Sequence, residues 1–351
     1  MLKVTIAQAK DIQNWDAYVS SHPDAWPYHL YAWKKAIKKA YGHKGYYLMA
    51  QEEGQITGVL PLIHLQFSRL VNELTALPYC DVGSILCNDE QSGRALLEAA
   101  VRIGEKLGVD TIQLRGEYPW PEASNTPTPV REENNKVRMF LALPADSEEL
   151  MRGFKSKLRS QIRKSVKNGL QFHWGSIDNI NEYYSVFSGN MRDLGSPVHS
   201  RRLFKAILEY YGDAAGLGIV TIKNKCIGGG IILSMTDRVS IPWASTLRRY
   251  NRLAPNMLLY WNFLKYSADS GFSLFDFGRS SPDGGTYRFK YQWGARPIPL
   301  DWYTFYIAKR KVRKSRAQSS SLRENFERIW QRLPLPAANF FGPLIRKHIS
   351  L

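Results

Sequence analysis

GVDTIQLR (Gly108–Arg115) and GFSLFDFGR (Gly271–Arg279) are two versions of one pattern: a glycine, a short spacer, an apolar strand and an arginine. Each glycine also stops a stretch with helical periodicity, Gln91–Leu107 in the first case and Pro255–Ser270 in the second. A hairpin pattern stands upstream of each helix. The first is Tyr46–Gln51, a turn at Glu52–Gly54 and Ile56–Leu65, followed by a strand at Glu73–Leu77. The second is Gly218–Lys223, a tight turn at Asn224 and Lys225, and Ile227–Ser234, followed by a strand at Val239–Ser245. Both halves read hairpin, strand, helix, strand, which predicts an internal duplication. Each copy needs a mixed sheet with helices packed on it to bury these strands, so the class is α/β (α+β).

The chain of 351 residues is long enough for two domains at roughly 150 residues each. With 44% hydrophobic and 23% charged residues it has the balance of a soluble globular protein, which excludes disordered and collagen-like classes. No apolar run reaches the roughly 18 residues of a membrane-spanning helix. The opening MLKVTIAQAKDIQNW has no signal-peptide pattern, so the expected location is the cytoplasm. Cys80, Cys87 and Cys226 are odd in number and scattered, which fits a reducing compartment and argues against a disulfide framework or a zinc site. The seven histidines lack H-E-x-x-H spacing, so no metal is expected. A G-x-S-x-G elbow is missing, and Gly228-Gly229-Gly230 lacks the lysine and hydroxyl of a Walker loop, which leaves it as a close-packed strand.

The net charge of +17 is concentrated in two places. Met151–Gly175 holds seven basic residues and no acidic one, and Ala308–Leu351 holds eleven against Glu324 and Glu327. Such patches attract phosphates on nucleotides, nucleic acids or lipid head groups. In the first patch Leu158, Ile162 and Val166 form an apolar helical stripe, with Lys155, Arg159 and Arg163 beside it and Lys164 adjoining. A basic ridge without acidic neighbours is unusual on a helix, where charges tend to pair, and it reads as a phosphate-binding face. The second patch contains the run Lys309–Arg316 and then Leu322, Phe326, Ile329 and Leu333 on one helical face. That tail either docks on the body or lies at a membrane interface. No recognised DNA-binding fold is present.

The densest cluster of chemically useful residues is DFGRSSPDGGTYRFKYQWG, Asp276–Gly294, a strand end, a glycine-containing loop and a short helix. Ligands of open α/β sheets lie beyond strand ends. Phe289 and Trp293 are four apart and read as core, which leaves Lys290 off that face, where it could hold an oxygen on which negative charge develops. Asp276 is a candidate general base, although spacing alone favours a carboxylate bonded to the following turn. Arg279 is a candidate phosphate or carboxylate clamp, and Tyr287 a candidate substrate contact. The letters DFG match those of protein kinases, but no glycine-rich ATP loop or H-R-D loop accompanies them.

Three motifs in order resemble FemAB-type proteins, tandem members of the GNAT acyltransferase superfamily. They are R-x-x-x-R-K-x-x-K-N-G-L (Arg159–Leu170), the DFGRS strand end, and F-K-x-x-W-G (Phe289–Gly294). HLYAWKKAIKKAYGH from His29, NMRDLGSPVHSRRLF from Asn190 and LPLPAANFFGPLIR from Leu333 are similar to the FemAB-like subgroup linked to exosortase/PEP-CTERM systems. The resemblance covers nearly the whole chain. It implies two GNAT-like domains, expected at residues 1–145 and 146–308, with a basic amphipathic tail at 309–351. It also implies transfer of an acyl or aminoacyl group to an amine, with Lys290 as the catalytic lysine of the F-K motif.

Acyl-CoA or aminoacyl-tRNA is then the co-substrate, with no tightly bound cofactor. The acceptor is an amine on a nucleotide- or lipid-linked glycan or peptide, as in peptidoglycan or exopolysaccharide synthesis. The chain departs from the pattern in that RRYNRLAPN (Arg248–Asn256) stands where a coenzyme A pyrophosphate loop would be. The helix N-terminus near Asn256 remains a candidate anion site. YCDVGS (Tyr79–Ser84) and His199 also differ from the subgroup. The alternative is a non-catalytic adaptor with a degenerate transferase fold that binds an anionic glycan, lipid or membrane surface.

Overall fold

The computed structural model describes residues 1–67, 71–116, 126–132, 134–307 and 320–351. The basic run at 309–316 lies outside the described residues. Two compact units emerge. The first holds β1 (Lys3–Ile6), α1 (Ile12–Ser21), α2 (Tyr31–Tyr41), β2 (Lys44–Glu52) and β3 (Gln55–Phe67). It continues with β4 (Val71–Ala76), β5 (Leu86–Cys87), α3 (Glu90–Leu107), β6 (Thr111–Arg115) and β7 (Val130–Arg131). The second opens with β8 (Val137–Ala142), α4 (Ser147–Gly153), α5 (Ser156–Lys167), β9 (Leu170–Gly175), α6 (Ile180–Asp193) and α7 (Arg201–Tyr211). Then come β10 (Ala215–Ile222), β11 (Lys225–Met235), β12 (Arg238–Thr246), α8 (Pro255–Asp269), β13 (Leu274–Ser280), α9 (Gly285–Tyr291) and β14 (Arg296–Pro299). The last elements are β15 (Trp302–Tyr306), α10 (Ser320–Gln331) and α11 (Leu335–Arg346).

The duplication is visible strand by strand. One sheet runs β1-β2-β3-β4-β6-β15-β7 and the other β9-β10-β11-β12-β13-β8-β14. In each, a hairpin leads to a third antiparallel strand, a helix crosses over, and the next strand pairs in parallel (β4 with β6, β12 with β13). Helix α3 shows how the helical pattern is realised. Asp89 caps the Ser92 N–H, and Gly108 closes the C-terminus in the left-handed conformation that glycine adopts without steric cost.

The division differs from the expected one at both ends. β8, expected in the first domain, pairs with β13 and β14 of the second sheet. The second domain, expected to reach residue 308, gives up its last strand: β14 joins β8, and β15 belongs to the first unit and pairs with β6 and β7. Hairpin and strand periodicity specify alternation but not which sheet a strand joins. The C-terminal segment is not a separate tail among its described residues. Helices α10 and α11 belong to the second unit and pack on α6, and His348–Leu351 belong to the first, where the Ser350 carbonyl accepts the Tyr79 N–H at 2.7 Å.

In the second sheet α6 and α8 cover opposite faces. A side chain at Gly229 would stand 2.9 Å from Tyr183 of α6, and one at Gly230 would stand 3.1 Å from Phe263 of α8. The triple glycine is therefore a close-packed strand, its lack of side chains setting how near both helices lie. The core below α8 joins Ile162, Val220, Leu259, Phe263, Phe275 and Trp293. On α5 the buried positions are Leu158, Ile162 and Ser165, and Val166 is exposed, so the stripe turns one residue earlier than its apolar letters suggest. Among the described residues no helix is long and apolar enough to cross a membrane, and no group of histidine, cysteine or carboxylate side chains is placed to hold a metal.

Candidate active site

The parallel pairing of β12 with β13 lasts for three residues, Arg238–Ser240 against Leu274–Asp276. Beyond Ser240 and Asp276 the strands part. β12 continues to Thr246 paired with β11, and β13 continues beside β8 after a register shift between Asp276 and Arg279. Gly278, in the left-handed region at φ 73°, makes that shift possible. A cavity of about 520 Å³ opens beside the parted stretch of β12, lined there by Ala244, Ser245 and Thr246. Asn256 and Tyr260 of α8 line it too, with Phe289 and Lys290 of α9 and Asn190 and Asp193 of α6.

Lys290 is the cation of this cavity that the sequence singled out, and it is nearly buried at 7% exposure. Its ammonium donates to the carbonyls of Gly278 at 3.0 Å and Arg279 at 2.7 Å, both on the shifted part of β13. Those two bonds fix the nitrogen at the cavity wall. Phe289 and Trp293 pack with Tyr260 and hold α9 against the core, as their spacing predicted.

Asp276 takes a different part from the one proposed for a general base. It is 1% exposed and is not a cavity-lining residue. One carboxylate oxygen accepts from Arg138 of β8 at 2.7 and 3.1 Å, and the other accepts the Gly278 N–H at 2.7 Å. This is the turn-bonded carboxylate that spacing favoured, now also in a buried ion pair. A carboxylate so engaged orders the bulge that presents the carbonyls holding Lys290. Arg279 and Tyr287 likewise do not line the cavity, and Tyr287 stacks on Tyr291.

The anion-binding features meet at one end. Helix α8 starts from Ala254 in the left-handed conformation, with Pro255 in its first turn and no side chain capping it. Uncapped N–H groups and the helix dipole favour an anion there. Asn256 lies in that turn and lines the cavity, as do Arg248 and Asn251 from the preceding 3₁₀ turn. Arg248 is exposed and makes no ion pair among the described residues. Lys155, Arg159, Arg163 and Lys164 do not line the cavity, but α5 is tied to this turn because Asn168 donates to the Leu253 carbonyl at 3.3 Å.

Sequence reading missed Arg248, Asn251, Asn190, Asp193, Ser245, Thr246, Tyr260 and Thr286, all of which line the cavity. A signal was present in Ser245 and Thr246, two polar residues ending an otherwise apolar strand. Both are buried, and Asn190 donates to the Ser245 hydroxyl at 3.0 Å. Asp193 is the carboxylate among the lining residues, half-buried and paired with Arg192 at 2.7 Å. Burial holds the Tyr260 phenol well above its ordinary pKa, so it stays protonated.

A hairpin, a strand, a crossover helix and a parallel strand that splays from its neighbour leave a ligand-sized cavity. Residues 152–291 match the GNAT acetyltransferase domain family. The fold is the GNAT acyltransferase fold, in tandem. FemX resembles this chain at a TM-score of 0.64 and 14% identity, over 87% of this chain and 97% of that one. The C-terminal domain of a putative lysylphosphatidylglycerol synthetase from Agrobacterium fabrum gives 0.57 and 10% identity, over 85% and 92%. A tandem GNAT protein from the clavulanic acid biosynthesis pathway gives 0.54 and 13% identity, over 89% and 100%. No curated protein matches the chain in sequence. In the first GNAT-like unit the stretch beyond the matching parallel pairing is bridged. Gly83 pairs with Arg115 through two backbone bonds, of 2.8 and 2.6 Å, and the Arg115 side chain donates to the Cys80 carbonyl at 2.7 Å.

Proposed function

We propose that the chain transfers an acyl or aminoacyl group to an amine in cell-envelope or exopolysaccharide synthesis, as a cytoplasmic FemAB-like enzyme of the exosortase/PEP-CTERM-linked kind. The observation that carries this reading is the cavity in the parted strands, with a buried lysine ammonium in its wall and an uncapped helix N-terminus at one end. The parted stretch of β12 offers backbone groups to an extended donor. Asn256, Arg248 and the ridge Lys155, Arg159, Arg163 and Lys164 would hold donor or acceptor phosphates.

In the reaction the acceptor nitrogen attacks the donor's thioester or ester carbonyl carbon. The carbonyl oxygen gains negative charge opposite Lys290, whose ammonium stabilises it. Asp193 takes the amine proton as the new C–N bond forms. The C–S or C–O bond to the donor then breaks, and Tyr260 supplies the proton that the leaving group requires. Asp276 positions rather than reacts, through Arg138 and the Gly278 turn. FemX as a fold neighbour supports an aminoacyl donor, and the GNAT domain match supports acyl-CoA. The adaptor reading is favoured by one observation, the α5 cations, which make no ion pairs among the described residues and need no cavity to bind an anionic polymer.

Titration with an acyl-CoA panel and with charged tRNA, each at low and moderate salt, separates these readings. Saturable, salt-resistant binding of one donor, together with a loss of about 10²–10³-fold in kcat for Lys290→Ala with donor affinity kept, is the expected result. Wild-type turnover in Lys290→Ala would overturn the catalytic assignment. Binding of tRNA that ignores charging and fades with salt would be counterion release and would favour the adaptor.

A further inference from the structure

Helix α11 is apolar around nearly its whole circumference, yet it buries one side. Ala338 and Gly342 are buried, and a side chain at Gly342 would stand 2.8 Å from Val198 of the same unit. The side next to it carries Phe340, Phe341, Leu344 and Ile345, exposed by 67%, 50%, 51% and 37%, with Ile345 at the edge of the buried side. At 3.6 residues per turn these four fall within about 140° of the helix circumference, so they form one face and not scattered exposures. Four large side chains exposed together on one short helix form a contiguous apolar patch, and such a patch rimmed by polar residues marks an interaction surface.

The surrounding charges say what covers that face. From Arg328 to Leu351 the chain has Arg328, Arg332, Arg346 and Lys347 and no acidic residue. On the helical projection Lys347 falls beside Phe340 and Leu344. On α10 the same arrangement recurs: Ile329 is 65% exposed, and Arg332 and Arg328 flank it on one side. Apolar residues at the centre and cations at the margin suit the interface of an anionic bilayer, where apolar side chains enter the acyl boundary and cations reach phosphates. A second copy of the chain would bring the same positive margin against itself. At twelve residues the helix is roughly 18 Å long, too short to span the hydrocarbon core and suited to lie in its surface.

We propose that the exposed face of α11, with Arg332 and Lys347 at its margin, seats the protein on the surface of anionic phospholipid bilayers. This binding does not depend on the transferase reading.

The test is flotation of the full chain with vesicles of phosphatidylcholine alone or with about 30% phosphatidylglycerol, a composition chosen as that of an anionic leaflet. The wild type should float with the anionic vesicles only. Phe340→Ser/Leu344→Ser, both at exposed positions, should keep the wild-type circular dichroism and lose affinity at least about tenfold. Arg332→Gln/Lys347→Gln should weaken binding with a reduced salt dependence. Failure of the wild type to float overturns the proposal. Unchanged flotation of the serine variant also overturns it, by assigning the attraction to charges elsewhere. A wild-type dimer by light scattering that the serine variant abolishes overturns it in favour of self-association.

Discussion

Asp276→Ala is the substitution that separates a catalytic carboxylate from an organising one. The wild-type side chain is 1% exposed and takes two hydrogen bonds from the Arg138 guanidinium, itself 5% exposed, plus one from the Gly278 N–H. Removing it leaves a buried cation without this carboxylate and a backbone donor without its acceptor. Breaking a buried pair from one side costs about 3–5 kcal/mol. For a unit of this size each kcal/mol moves the melting temperature by about 2–4 °C, so the expected drop is roughly 6–20 °C. Arg138→Met should fall by a similar amount. The double variant Arg138→Met/Asp276→Asn should recover most of the loss, because the unpaired charge is gone and the introduced amide oxygen can still accept the Gly278 N–H. Thermal unfolding followed by circular dichroism reads all three. An Asp276→Ala protein that melts with the wild type and has lost turnover would refute the organising role and return Asp276 to the chemistry.

Three further outcomes are open to simple measurement. His199 lies buried among Phe204 and Trp243, and burial first, then Arg346, holds its pKa well below 6.5. The folded state then refuses a proton that the unfolded chain accepts, so stability is intact above about pH 6.5 and falls below it by about 1.4 kcal/mol per pH unit. Unfolding free energies from urea titrations at pH 7.5 and 5.5 should differ in the wild type by that amount more than in His199→Phe. Gly218→Ala would put its Cβ 2.6 Å from Phe263 and 2.8 Å from Phe172, an overpacking that should cost about 1–3 kcal/mol in chemical denaturation. Arg248→Ala, at the mouth of the cavity, should weaken binding of a phosphate-bearing donor about tenfold while leaving the melting temperature unchanged, measured by calorimetric titration.

The strands and helices of both units were legible because period-2 and period-3.6 patterns with glycine stops specify local structure directly. Leu107-Gly108 and Ser270-Gly271 mark two helix ends on which the duplication hangs, and both stand where the sequence puts them. What stayed hidden was which sheet a strand enters. β8 and β15 are ordinary apolar strands, and nothing in either pattern encodes that each pairs across the duplication boundary. The candidate site was legible in its fixed part, Lys290 with Phe289 and Trp293, and illegible where strands diverge. Asp193, Ser245 and Tyr260 come from α6, β12 and α8, elements that converge only once the sheet has twisted and β13 has shifted its register. Asp276 carried a real signal, but burial beside Arg138, a residue 138 positions away in sequence, decides what its carboxylate does.

The two units use the same splayed strands differently. In the second, the gap after Ser240 and Asp276 remains open, and Arg279 at the strand end stays partly exposed beside the carbonyls that hold Lys290. In the first, the matching parallel pairing also lasts three residues, Glu73–Thr75 against Thr111–Gln113. Beyond it the chain turns back through Leu77 and Tyr79, both in the left-handed region, and seats Gly83 against Arg115. A side chain at Gly83 would stand 2.7 Å from the Ala76 carbonyl carbon, so the YCDVGS segment fits there only with glycine. Arg115, the counterpart of Arg279, is buried over the Trp302 ring and donates to the Cys80 and Ser350 carbonyls. The sequence from Gly116 to Asn135 holds no lysine to match Lys290. The duplication therefore yielded one copy with a cavity beside its parted strands and one in which, among the described residues, the equivalent stretch seats Gly83 against Arg115.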